Sequence, residues 1–140
     1  MALELDSLIK SINSLDGVLI RAHDSKLMAS LDEVTRYCVK AGVIQNFEFT
    51  YEVCWKFMKR WLEENVGASY VDGVSRQELF RIAAENRLIT DVERWLDYHK
   101  ARNLTSHTYN AETAESVFES ATEFIHDAKR FLKELEARND

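Results

Sequence analysis

The sequence predicts an all-α protein, a bundle of five or six helices in one domain over residues 1–140. Three observations carry this expectation. There is no proline and there are only four glycines, so the residues that punctuate a chain are scarce. Apolar residues recur at i, i+3 and i+4 along almost the whole chain. Two Ser/Thr-x-x-Glu pairs, Ser75 with Glu78 and Thr90 with Glu93, stand where helices should begin.

The first helix is expected from about Leu3 to Ala22, with Leu5, Leu8, Ile9, Ile12, Leu15 and Leu19 in one stripe and Gly17 as a small penalty or a point of close packing. A second, from about Ser25 to Lys40, places Leu27, Leu31, Val34 and Cys38 on one face. The chain either breaks near Ala41-Gly42 or continues into the next helix. That third helix, about Ile44 to Asn65, is apolar on most of its circumference. Phe47, Tyr51, Cys54, Trp55, Met58 and Leu62 form one stripe, and Phe49, Val53, Phe57 and Trp61 form another. Such a helix must be covered on more than one side. It is expected to be the central helix and to form a subunit interface as well, with Gly67 closing it as a C-cap. Ser75 opens a fourth helix through about Asn86, with Leu79, Ile82 and Ala83 inward. Thr90 opens a fifth, with Val92, Trp95, Leu96 and His99 on one side. The last runs from about Ala111 to Glu136 on Val117, Phe118, Ala121, Phe124, Ile125, Ala128, Phe131 and Leu132.

Composition narrows the function. With 46% hydrophobic and 30% charged residues the chain is an ordinary globular domain, not a disordered one. A net charge of -6 argues against indiscriminate nucleic-acid binding, though not against a small local arginine site. No apolar run approaches the roughly 20 residues of a membrane span. Acids stand near the start, at Glu4 and Asp6, where a signal peptide carries bases, so the expected location is the cytoplasm. Cys38 and Cys54 read as buried free thiols.

The run Arg102-Asn103-Leu104-Thr105-Ser106-His107-Thr108-Tyr109 gathers a cation, an amide, hydroxyls, an imidazole and a phenol. A guanidinium grips phosphate through a fork of donors, and an imidazole moves protons near neutral pH. The run therefore reads as a site for a phosphate ester. On a straight helix Arg102 and Tyr109 share a face and Asn103 sits beside His107. Arg102 and His107 diverge by about 140°. They converge only if the helix bends, which Thr105-Ser106-His107-Thr108 favours, or if a two-fold partner supplies one of them. A plain structural account also fits: Arg102 pairs with an acid, His107 caps a carbonyl and Tyr109 anchors the turn.

Arg102, His107 and Tyr109 resemble the R-x4-H-x-Y motif of the HEPN superfamily. Three blocks are similar to the nucleotidyltransferase substrate-binding proteins: the motif run, Gln45 to Glu52 with Trp55-Lys56, and Ser75 to Glu78. The likeness extends from about Leu3 to Phe131. It implies an up-and-down four-helix bundle with extra short helices, a homodimer, and a separate small nucleotidyltransferase as partner. The bundle would bind or position that partner's nucleotide or RNA substrate, or be modified by it on Tyr109, in a toxin–antitoxin-like pair. It equally implies an alternative, a metal-independent ribonuclease toxin with Arg102, Asn103 and His107 as its active site in the dimer cleft. Neither reading calls for a cofactor.

Glu48 and Glu52, four apart, serve acid–base chemistry or line a solvated face with Lys56 and Lys59; Glu48 alone is the further candidate to pair with Arg102 or Arg76 in the cleft. Arg76 is the one arginine of its helix assigned to nucleotide binding; Arg81, Arg87 and Arg94 read as surface charge. His23, His99 and His126 show no metal-ligand spacing, and His99 reads as a satisfied, half-buried residue. No phosphate loop or nucleotidyl-transfer signature is present, so this chain is not expected to transfer a nucleotide itself. A purely structural interaction module is the third reading.

Overall fold

A computed structural model describes residues 2–139; Met1 and Asp140, the ends of the expected domain, lie outside them. Helices α1 (Asp6–Ala22), α2 (Ser25–Ser30), α3 (Glu33–Leu62), α4 (Ala68–Val71), α5 (Arg76–Glu85), α6 (Val92–Asn103) and α7 (Ala111–Ala137) follow one another. A π-helical turn, Glu63–Gly67, joins α3 to α4, and a 3-10 turn, Thr105–His107, lies between α6 and α7. The long helices α1, α3, α6 and α7 pack as the up-and-down bundle, and α2, α4 and α5 are the extra short helices. Among the described residues no helix is long and apolar enough to cross a membrane.

Two helix boundaries differ from expectation. The second helix ends at Ser30, and the break falls at Leu31, whose backbone is extended. Asp32 then accepts the Thr35 amide at 2.7 Å and starts α3. From there the helix runs straight through Ala41-Gly42. An added Cβ at Gly42 would meet nothing within 4 Å, so this glycine costs the helix only its propensity. The new register turns Val34 and Cys38 outward, and Cys38 is exposed rather than buried. Cys54 is buried, and its surroundings push the thiol pKa up. At the start of α6 the cap is Asp91, not Thr90: its carboxylate accepts the Arg94 amide at 3.1 Å. Ser75 caps α5 as expected, accepting the Glu78 amide at 3.2 Å.

Helix α3 is central. It buries Val43, Phe47, Tyr51, Cys54, Met58 and Leu62 among the other helices. Its second stripe divides: Phe57 and Trp61 are buried, whereas Phe49 stays 62% exposed. Phe124 of α7 sits at the centre of the core, with its ring against Phe47, Tyr51, Trp95 and Tyr98. Beside it, Asp127 is buried and bound by Arg94, Arg130 and the Tyr98 hydroxyl, so its charge is compensated.

Gly67 closes the α3 segment, as the sequence predicts, at the end of the π-helical turn. Its φ of +136° is a conformation that side-chain-bearing residues avoid, and a Cβ there would lie 3.2 Å from the Tyr70 ring. Gly67→Ala is therefore expected to destabilise the protein by about 1–3 kcal/mol, measured by chemical denaturation. An unchanged midpoint would mean that the turn relaxes freely.

Candidate functional site

The polar motif straddles a helix end. Arg102 and Asn103 are the last residues of α6, and Leu104 caps it. The chain then tightens: the His107 amide donates to the Leu104 carbonyl at 2.9 Å and the Asn110 amide to the His107 carbonyl at 3.2 Å. Asn110 starts α7 by accepting the amides of Glu112 and Thr113. Thr105-Ser106-His107-Thr108, a run of weak helix formers, is where α6 gives way. The straight-helix spacing thus does not apply.

The bend separates the motif into two groups. Arg102 turns inward, half-buried, onto α3. Its Nε donates to Glu52 Oε1 at 2.7 Å, and Nη1 lies 3.9 Å from Glu48 Oε2. The Thr105 hydroxyl lies between the Glu48 carboxylate and the Arg102 carbonyl, and its single proton serves one of them at a time. Glu52 also accepts Trp55 Nε1 at 2.8 Å, and the Arg76 guanidinium stacks on the Trp55 ring at 3.4 Å. Arg76 Nε is buried without a hydrogen-bond partner. Arg76 thus joins the cluster by stacking on Trp55, not by pairing with Glu48. Two carboxylates against two guanidiniums leave this patch close to neutral.

His107 and Tyr109 point outward. Their rings meet edge to face with centroids 6.3 Å apart, and Tyr109 is 86% exposed. Neither side chain hydrogen-bonds to Arg102 or Asn103 among the described residues. Tyr109 stands at the edge of a groove of about 480 Å³ between α3 and the start of α7, lined also by Tyr37, Lys40, Ile44, Glu48 and Phe118. That volume suits a small-molecule ligand of nucleotide size.

Sequence reasoning weighed Glu52 but left it out of the site; it is the principal partner of Arg102. Its spacing of four from Glu48 and three from Trp55 was the available signal. The groove residues Tyr37, Lys40 and Phe118 carried none, because α3 and α7 meet there only in the fold. Among the described residues no three His, Cys, Asp or Glu side chains gather closely enough to hold a metal ion.

Behind Arg102, His99 Nδ1 lies 2.8 Å from the Tyr51 hydroxyl, and His99 Nε2 lies 3.5 Å from the Asn103 amide. Burial lowers the His99 pKa, the charges of Arg76 and Arg102 add to the effect, and Glu52 opposes it. Unfolded, this histidine titrates near pH 6.5. As the pH falls below that value the unfolded chain takes up a proton that the folded one refuses. The stability that His99 contributes is thus fully present above about pH 6.5 and lost as the pH falls through the folded value. His99→Gln is expected to flatten this part of the unfolding profile between pH 7.5 and 5. An unaltered profile would assign the loss to other groups.

The model of a protein family described as "Nucleotidyltransferase substrate binding protein like" matches residues 3–137. A Haemophilus influenzae protein named probable ribonuclease HepT is 30% identical over 138 residues, 98% of this chain and 94% of that protein. Among solved structures, a Haemophilus influenzae protein, described as revealing the fold of a substrate binding domain of a nucleotidyltransferase, superposes with a TM-score of 0.91. It is 29% identical and the match covers 95% of this chain and 99% of that one. A Thermus thermophilus protein superposes with a TM-score of 0.70 at 26% identity, covering 89% of this chain and 98% of that one.

Proposed function

This chain belongs to the nucleotidyltransferase substrate-binding protein family, and we propose that it is the helical half of a two-component, toxin–antitoxin-like pair. The other half is a separate small nucleotidyltransferase. Two copies of the chain meet as a homodimer in the cytoplasm. Their two sets of Arg102, Asn103, His107 and Tyr109 form one cleft that holds a nucleotide or RNA phosphate, or offers Tyr109 for modification. Arg76 and Glu48 stand behind it. The observation that carries this reading is the placement of His107 and Tyr109. Both are exposed with their rings together, and Tyr109 lines a groove of nucleotide size, where a second protein can reach it. Pairing of two chains is supported by the near-neutral patch around Arg102, since a phosphate is better held by two such arginines than by one that is already neutralised. Exposed Val34, Tyr37 and Phe49 on α3 supply apolar surface for the contact.

The test is co-expression with the small nucleotidyltransferase that the resemblance pairs with it. The two are expected to co-purify and to remain together at micromolar concentration; separation there would defeat the reading.

The name of the 30%-identical relative, probable ribonuclease HepT, favours a second reading, a ribonuclease, which the resemblance to the HEPN motif makes metal-independent. His107 would take the proton of a ribose 2′-hydroxyl, whose oxygen attacks the adjacent phosphorus. The P–O5′ bond breaks, the 5′-oxygen is protonated, and a 2′,3′-cyclic phosphate remains. Arg102 would stabilise the charge on the phosphate and Asn103 would orient it. Under this reading expression of the chain alone arrests growth and His107→Ala relieves the arrest. Equal harmlessness of wild type and variant would eliminate it.

A further inference from the structure

We propose that Tyr51 and His99 form a relay that fixes the Asn103 amide, so that its two N–H donors face a phosphate ester beside Arg102. This rests on the reading of the motif as a phosphate-ester site and adds two positioning residues, one of them wholly inside the core. Tyr51 is fully buried on α3, and a buried phenol needs a partner for its hydroxyl. It finds His99 Nδ1 at 2.8 Å. His99 lies one helical turn before Asn103 on α6, and its other nitrogen, Nε2, lies 3.5 Å from the amide nitrogen Nδ2 of Asn103.

The chemistry of the neighbours sets the direction of the relay. Burial and the nearby guanidiniums of Arg76 and Arg102 keep the imidazole neutral at pH 7 against the pull of Glu52, so it carries one N–H. The charge of Arg76 also acts on the Tyr51 oxygen. A cation beside that oxygen turns the O–H proton away from itself, toward His99 Nδ1. Nδ1 then accepts and Nε2 carries the hydrogen. An Nε2–H next to an amide requires the amide oxygen. A half-turn of the Asn103 amide supplies it, since its oxygen and nitrogen exchange places with no change of shape. With the oxygen held by His99, the amide nitrogen points outward. Asn103 is exposed, and this bond is its one side-chain tie among the described residues. Donors fixed before the ligand arrives need no reorganisation when charge appears.

Two measurements on the full chain test the relay. In 15N spectra of the histidines without ligand, His99 is expected as the Nε2–H tautomer, and Tyr51→Phe is expected to shift it toward a mixture. An Nδ1–H tautomer in the wild type overturns the relay, whatever the motif does. The second measurement is affinity for 5′-AMP as probe. Tyr51→Phe keeps the ring against Phe80 and Phe124 but deletes the hydroxyl. It and Asn103→Ala are each expected to weaken binding about three- to tenfold, the range of one neutral hydrogen bond. The double variant is expected to be no weaker than Asn103→Ala alone. Additive losses, or an effect of Asn103→Ala with none from Tyr51→Phe, overturn the relay. Should Arg102→Ala and His107→Ala leave 5′-AMP affinity untouched, the phosphate-site reading falls, and the tautomer still decides whether the relay exists.

Discussion

Incubated with ATP and the small nucleotidyltransferase proposed as its partner, this chain is expected to gain the mass of one adenylyl group on Tyr109, and Tyr109→Phe is expected to abolish the gain. In the transfer, the phenolic oxygen bonds to the α-phosphorus, the bond to pyrophosphate breaks, and the phenol proton passes to a base. The chain has five tyrosines, and the fold sorts them. Tyr51 and Tyr98 are buried, and burial raises both phenol pKa values, so neither meets a partner enzyme. Tyr37 and Tyr70 are exposed at 67% and 63%, but among the described residues no imidazole ring packs against either. Tyr109 is the most exposed of the five, and the His107 ring packs against it edge to face. Peptide mass spectrometry reads the outcome directly. Label on Tyr37 or Tyr70 in place of Tyr109, or no label, would refute the assignment.

Phe124→Ala is expected to cost about 3–5 kcal/mol, the range for deleting a buried aromatic ring. Phe124 is wholly buried and touches rings from two other helices: Phe47 and Tyr51 on α3, Trp95 and Tyr98 on α6. Its centroid lies 5.0 Å from that of Tyr98 and 5.2 Å from that of Phe47, so edge-to-face attraction is lost along with apolar burial. For a domain of this size the melting temperature should fall by roughly 10 to 20 °C. Phe124→Leu, which leaves a smaller void, should fall between. A drop of only a few degrees would mean that the surrounding rings collapse into the space.

The sequence made the helical class and the inward faces of α1, α5 and α7 legible, because their stripes are regular and one-sided. The α2–α3 boundary was not. Gly42 drew attention as a breaker, while the real signal, Asp32 three residues before Thr35, resembles any other surface acid. The faces of α3 were ambiguous because so much of its circumference is apolar, and burial had to choose between Phe57 and Phe49. At the site, residue types were readable and their grouping was not. Arg102 and His107 are five apart in sequence, yet the 3-10 turn sends one toward α3 and the other to solvent. The contact of Arg102 with Glu52 spans 50 positions, a distance at which spacing says nothing.

Glu48 belongs to two neighbourhoods at once. It lines the groove, and it also pairs with Arg102 and Thr105. An occupant that competes for this carboxylate loosens its hold on the guanidinium, which then has more to give an anion. Linkage makes the effect mutual: an anion on Arg102 must in turn make Glu48 more available to the occupant. Two ligands that never touch would thus summon each other through one shared acid.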